Sequence, residues 1–156
     1  MPIPKKILNF LGKSKIKYKP IQHKTVYTAY DLAQTLKTKL SGVAKTLLIR
    51  ADKDHALVVL PASQRLDLAK LKKFFKAKKI VIVKEQVMKK IFKVKPGTIT
   101  PFGAIHKNIS VYIDRTLTKT KKIIVKAGSH KDSIEMTGKN FLKATGGKLG
   151  SFGKKK

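Results

Sequence analysis

Lysine interrupts every longer apolar stretch of this 156-residue chain, which limits it to short elements with one apolar side each. No run reaches the roughly 20 consecutive apolar residues that a membrane-spanning helix needs. The opening residues, MPIPKKILNFLGKSK, likewise lack the unbroken apolar segment of a signal peptide. The chain is therefore expected to be soluble and cytoplasmic, with no membrane partner. Its length suits one domain burying about two thirds of the surface that the unfolded chain exposes. With no Trp, seven Phe and four Tyr, the core must be built mainly of Ile, Leu and Val. Cysteine is absent, which excludes disulfides, thiolate nucleophiles and cysteine-bound metal.

Charge narrows the function further. Against 37 basic residues stand 8 acidic ones, a net charge of +29. Such self-repulsion costs stability unless a polyanion or counter-ions offset it, so a nucleic acid is the leading partner, with simple solubility as the alternative. Only Arg50, Arg65 and Arg115 are arginine. Lysine is a hydrated point charge suited to phosphate and poor at bidentate reading of base edges, so attraction to the backbone should dominate.

The apolar spacing predicts a mixed set of elements. Pro4 and Gly12 bracket a short helix carrying Ile7, Leu8 and Leu11, and YKPIQH follows as an extended segment. Thr28 and Asp31 have capping-box spacing ahead of Leu32, Leu36 and Leu40, which predicts a helix over 28–40. KTLLIR and ALVVL read as strands about a turn at Asp52–Asp54. A helix behind Asp67 comes next, then a buried strand KIVIV and a helix EQVMKKIF with Val87 and Ile91 one turn apart. ISVYI, KIIVKA and SIEM read as three further strands, and GKNFLKAT as a helix behind Thr137. Residues 147–156, GKLGSFGKKK, hold too little apolar content to pack and are expected to form a mobile basic tail. Without strict strand–helix alternation, this pattern predicts an α+β domain over 1–146, a mixed sheet flanked by helices.

Familiar catalytic signatures are missing. There is no phosphate-binding glycine loop and no pair of histidines at ligand spacing; His23, His55, His106 and His130 stand singly. Asp31 and Asp67 read as helix caps, Asp52 and Asp54 as turn residues, and Asp114 as a residue of a strand-end turn. One segment stands apart, KPGTITPFG over 95–103. Pro96 and Pro101 fix their φ angles, while Gly97 and Gly103 allow close backbone approach. A segment of this kind either makes a tight connection or aims several peptide N–H groups at an anion or oxyanion.

The ordered blocks TAYDLAQTL, GVAKTLLIR, ALVVLPASQRLDLAKLKKFF, PGTITPFG, VYID, AGSHKDSIEM and FLKAT resemble the YbaK/ProX family of aminoacyl-tRNA deacylases, relatives of the editing domain inserted in bacterial prolyl-tRNA synthetases. The resemblance spans about residues 4–146. It implies an α+β editing domain that hydrolyses the ester of a small amino acid, of the alanine or cysteine class, misplaced on tRNA and above all on proline tRNA, without metal or cofactor. It assigns catalysis to Lys45 and to the family's G-x-x-x-P loop, here Gly97, Thr98, Ile99, Thr100 and Pro101, continuing into Phe102 and Gly103. It places Gly128, Ser129 and His130 at a turn beside the substrate, where His130 either caps the turn or faces the ligand. Ile49, Leu60, Ile99 and Phe102 are candidates for the pocket wall and equally for plain core. Where the family has a threonine-glycine step before the loop, this chain has IFKVK. The implied partners are the acceptor end of a charged tRNA and an aminoacyl-tRNA synthetase. A non-catalytic RNA-binding module and a regulator bound to a synthetase or the ribosome are the alternative readings.

Overall fold

The two strongest apolar runs pair with each other. Ala44–Ala51 (β2) and Asp54–Pro61 (β3) form an antiparallel hairpin that sets Lys45 opposite Leu60 and Arg50 opposite His55. Asp52 takes φ 54°, the left-handed conformation that Asp tolerates in a tight turn. Its carboxylate also accepts from the amides of Lys78 (3.1 Å) and Lys79 (2.9 Å), which ties the turn to the segment leading into Ile80–Ile82 (β5). The computed structural model describes residues 5–92, 100–102, 109–127 and 130–155.

β2 and β3 are inner strands of a five-stranded mixed sheet. β5 pairs antiparallel on the outer side of β2, whereas Val111–Asp114 (β6) runs parallel to β3 and Lys148–Gly150 (β9) parallel to β6. A second sheet of three antiparallel strands joins Lys19–Gln22 (β1), Asp132–Met136 (β8) and Ile123–Lys126 (β7). A short ribbon pairs Gln64–Leu66 (β4) with Gly153–Lys155 (β10). This is the expected α+β architecture, but ISVYI and KIIVKA end in different sheets because the helical turn Arg115–Thr118 (the 115–118 turn) redirects the chain between them.

Alternation along the inner strands supplies two cores. Ala44, Leu48, Leu57 and Val59 pack in one cluster with Ile123, Val125 and Ile134 of the small sheet, with Ile7 and Leu11 of the helix Lys5–Lys13, and with Phe141 of the helix Gly138–Thr145. Ile49, Val58 and Leu60 pack instead with Leu66, Phe152 and Leu71, the last from the helix Leu68–Phe75. A third, smaller cluster joins Leu32 and Ala33 of the helix Ala29–Thr35 to Val26, Val43, Ala62 and Ile124.

The predicted caps form. Thr28 accepts from the amide of Asp31, Asp67 from those of Ala69 and Lys70, and Thr137 from that of Asn140. The helix expected over 28–40 is shorter, closing at Thr35, because Lys37 turns left-handed at φ 53° and Thr38 N donates back to Ala33 O at 2.9 Å. Leu40 then lies in a 3₁₀ turn, Leu40–Gly42. KIVIV is an edge strand rather than a buried one: it pairs only with β2, and while Ile80 is buried, Ile82 is 44% exposed. In the helix Glu85–Phe92, Val87 is also exposed.

The largest correction concerns residues 147–156. Up to Lys155 they are not a loose tail but contribute β9 to the large sheet and β10 to the ribbon, and Phe152 is fully buried. One aromatic ring in the right register and two strand pairings outweigh the low apolar count that suggested a tail.

Gly138 opens its helix against the carbonyls of Leu117, Thr118 and Thr120, so closely that an added Cβ would overlap the Leu117 oxygen. We expect Gly138→Ala to cost about 1–3 kcal/mol by overpacking against backbone that cannot yield, read as a lower urea midpoint.

Candidate functional site

Three consecutive residues at the entrance of β2 lead to the three places where the sequence locates the site. Val43 belongs to the cluster of Val26, Ala62 and Ile124, and it bridges Ile124 across the two sheets. Ala44 belongs to the cluster that holds Phe102. Lys45, on the opposite face of β2 from Ala44, donates from Nζ to the carbonyl of Gln64 in β4 at 2.9 Å. Strand alternation is what separates these neighbours, since successive side chains leave the strand on opposite faces.

Of the loop, Thr100, Pro101 and Phe102 are described, and all three are buried. Phe102 is fully enclosed and sets its ring 5.8 Å from that of Phe10. The end of the proline-glycine segment is thus pinned in the main core. Gly97, Thr98, Ile99 and Gly103 lie outside the described residues, as do Gly128 and Ser129 of the second turn.

His130 is described and faces the segment before the helix Ala29–Thr35. Its Nδ1 lies 3.2 Å from Val26 O, and its carbonyl accepts from Val26 N at 2.9 Å. Its ring meets that of Tyr27 with centroids 4.7 Å apart and an interplanar angle of 55°. Through Val26, His130 therefore connects to Val43 at the entrance of β2. Ile49 and Leu60 are fully buried among Leu66, Leu71 and Phe152, and the packing they show is that of core.

Beside Tyr27 lies a cleft of about 250 Å³ lined by Lys24, Thr25, Val26, Asp31, Gln34 and Thr35. Lys126 Nζ donates to Tyr27 O at 2.8 Å from the adjacent strand β7. Tyr27 and Tyr30 are both exposed, and the Tyr30 hydroxyl oxygen accepts from Gln34 Nε2 at 2.8 Å.

Several polar residues carry more than the sequence suggested. His23 Nε2 lies 2.8 Å from Ser133 Oγ, and Ser133 and Asp132 are both buried at the start of β8. The close order His130, Asp132, Ser133 after a glycine is the signal that would have marked them. Asp114 is more than a turn residue. One carboxylate oxygen accepts from Thr116 N (3.1 Å) and Thr116 Oγ1 (2.7 Å), and the other from Phe152 N (2.9 Å) and Gly153 N (3.1 Å). Burial acts most strongly on this carboxyl and pushes its pKa up, yet the bonds from Phe152, Thr116 and Gly153 together outweigh it and hold the group below its ordinary 3.8. Asp114 thereby fixes the register of β10, whose partner β4 supplies the carbonyl bound by Lys45. Among the described residues no three His, Asp or Glu side chains gather as a metal site, and no helix is long and apolar enough to cross a membrane.

Comparison with known proteins identifies the family and the fold. The chain is 25% identical over 132 residues to the prolyl-tRNA editing protein ProX of Acetoanaerobium sticklandii, covering 81% of this chain and 80% of that one. It is 26% identical over 121 residues to the proline–tRNA ligase of Staphylococcus saprophyticus, covering 78% of this chain but only 21% of the ligase. Among solved structures, one described as a candidate trans-editing enzyme for prolyl tRNA synthetase superposes with a TM-score of 0.81 at 19% identity, over 96% of both chains. The crystal structure of a hypothetical protein superposes with a TM-score of 0.88 at 19% identity, over 96% of this chain and 99% of that one. These two likenesses establish the fold. The profile of the aminoacyl-tRNA editing domain matches residues 23–144, and the chain belongs to that family.

Proposed function

We propose that the chain is an aminoacyl-tRNA deacylase acting in trans, which hydrolyses the ester of a small wrong amino acid, of the alanine or cysteine class, on proline tRNA. The observation that carries this reading is the match of the aminoacyl-tRNA editing domain to residues 23–144, and the buried loop end at Phe102 and the Lys45 bond to Gln64 O support it. The match to ProX over most of both chains supports it. In this reading residues 1–146 form the editing domain proper. Residues 147–155 complete its packing.

The chemistry asked of the site is modest. An aminoacyl ester is already activated, so an acceleration of about 10³- to 10⁴-fold, roughly 4 to 5.5 kcal/mol of barrier, serves the purpose. A single aimed oxyanion donor contributes about 2.7–4 kcal/mol. Peptide N–H groups of the 97–103 loop would hold the ester carbonyl, with the loop end anchored by Phe102. The vicinal ribose hydroxyl would orient the attacking water or accept its proton while passing its own to the departing ribose oxygen. Lys45 would place its ammonium beside the carbonyl or the terminal phosphate, with one of its N–H bonds held by Gln64 O. The reaction as proposed uses no metal and no side-chain base.

The test is a panel of tRNA charged with alanine, cysteine, serine or proline. We expect the alanyl or cysteinyl ester on proline tRNA to be cleared well above the buffer rate, with the prolyl ester spared. If no ester in the panel is cleaved faster than in buffer, the hydrolase reading is wrong and a non-catalytic RNA-binding module takes its place. Binding of the tRNA should fall with salt by about 0.7 logarithmic units per tenfold for each single-strand phosphate contacted. A flat salt response would reject lysine–phosphate recognition.

A further inference from the structure

Most exposed aromatic rings on a protein surface need no explanation, but Tyr27 is placed in an unusual way. It is 66% exposed, although one side of its ring rests against His130 at 4.7 Å. Its backbone is held from both flanks: Lys126 Nζ donates to its carbonyl at 2.8 Å, and the amide of the preceding Val26 donates to His130 O at 2.9 Å. The backbone beneath the ring is thus held in place, and the ring touches His130 at one side while most of the residue stays open. Tyr30, 56% exposed, lies on the first turn of the adjoining helix, and the 250 Å³ cleft is lined by Val26 and Asp31, the residues that adjoin Tyr27 and Tyr30 in the chain.

We infer that Tyr27 is a stacking platform for an unpaired base of the RNA substrate, with the neighbouring cleft taking the edge of that base; this rests on the RNA part of the proposed function. Three observations favour a nucleotide. The cleft is smaller than the roughly 300–1,000 Å³ of sites for drug-sized ligands and suits a single planar ring. Five of its six lining residues are polar, and Thr25, Thr35, Gln34 and Asp31 carry the hydroxyl, amide and carboxylate groups that hydrogen-bond a base edge. Asp31 repels phosphate, so the cleft itself takes the base. Lys24 at its rim and Lys126 behind the ring are the cations placed to meet the flanking phosphates. The connection of Val26 to Val43 puts this platform next to the entrance of β2, where an acceptor end reaching Lys45 would pass.

Stacking and simple charge attraction differ in what they require of the tyrosine. The probes are a fluorescently labelled eight-nucleotide cytidine RNA and heparin, a polyanion without bases, each titrated against the full chain. We expect Tyr27→Ala to weaken RNA binding about 5- to 150-fold, the 1–3 kcal/mol typical of a base stacked on an aromatic ring, while Tyr27→Phe keeps wild-type affinity and heparin binding does not change. Lys24→Ala should lower the salt slope for the RNA by about 0.7 units. The inference is overturned if Tyr27→Ala binds the RNA as tightly as wild type, or if its affinity for heparin falls by the same factor. Circular dichroism of each variant separates these results from loss of fold, and Tyr27→Phe provides the fold-preserving comparison. Run alongside the charged-tRNA panel, the outcomes stay distinct. Tyrosine-dependent RNA binding without ester cleavage sustains the platform and removes the hydrolase; cleavage with no tyrosine dependence removes the platform alone.

Discussion

Lys45→Ala is expected to slow ester cleavage on mischarged tRNA by about 10²- to 10³-fold, the effect of removing one group aimed at the developing charge. Its stability should fall by only about 1–2 kcal/mol, since the variant loses the Nζ bond to Gln64 O at 2.9 Å and keeps the strand pairing of residue 45 with Leu60. Lys45→Met separates charge from packing, because it retains an unbranched stem of similar length. We expect it to unfold close to wild type in urea and to be as slow as the alanine variant. Arginine should not rescue the rate fully, because a planar fork cannot reproduce the compact point charge of an ammonium. Single-turnover rates on charged tRNA, measured beside urea unfolding, check all of these expectations. A wild-type rate in both Lys45→Ala and Lys45→Met would remove the lysine from the mechanism.

The largest effect on stability is expected at Asp114. Asp114→Ala leaves the amides of Phe152 and Gly153 buried with no acceptor and removes the cap of the 115–118 turn. An orphaned buried donor costs about 1–3 kcal/mol and a bond to a charged group contributes about 1.5–3, so a total loss of about 3–5 kcal/mol follows. Because the carboxyl titrates below 3.8 in the folded chain, the unfolded chain binds its proton first as the pH drops. The stability contributed by Asp114 is therefore complete above the unfolded value and is lost as pH falls through the lower, folded one. The difference in unfolding free energy between wild type and Asp114→Asn should accordingly be constant near neutrality and shrink below about pH 4. A difference that does not change with pH would show that the ionised carboxylate is not what holds residues 152 and 153.

Much of the fold was legible because local signals agreed with tertiary packing. The turn at Asp52 and the caps at Thr28, Asp67 and Thr137 were readable from residue type and position, and each forms. What escaped depended on distant partners. Nothing around KIVIV announces that among the described residues only one of its edges is paired, and nothing in GKLGSFGKKK reveals that β4 and β6 await it far upstream. Leu40 kept the helical interval after Lys37 had already turned the chain, because periodicity records a packed face and not the backbone path to it.

The candidate site was legible in a different way. Lys45 is one of many lysines, and neither charge nor periodicity distinguishes it; only the family resemblance singled it out. The structure adds what no spacing contains, namely that Lys45 is held by Gln64 O, that Phe102 shares a core with Ala44, and that His130 bonds Val26, which shares a cluster with Val43. Tyr27 was invisible at the level of sequence because its significance lies in the ring of His130, which arrives from a residue 103 positions later in the chain.

The ribbon between β4 and β10 also orders events during synthesis. The carbonyl that steadies Lys45 belongs to a strand whose partner lies at residues 153–155, so a ribosome must release those residues before the lysine has its finished support. A nascent chain that has already built its hairpin and its main core is still without that brace, so Lys45 gains its support only after the chain has become compact.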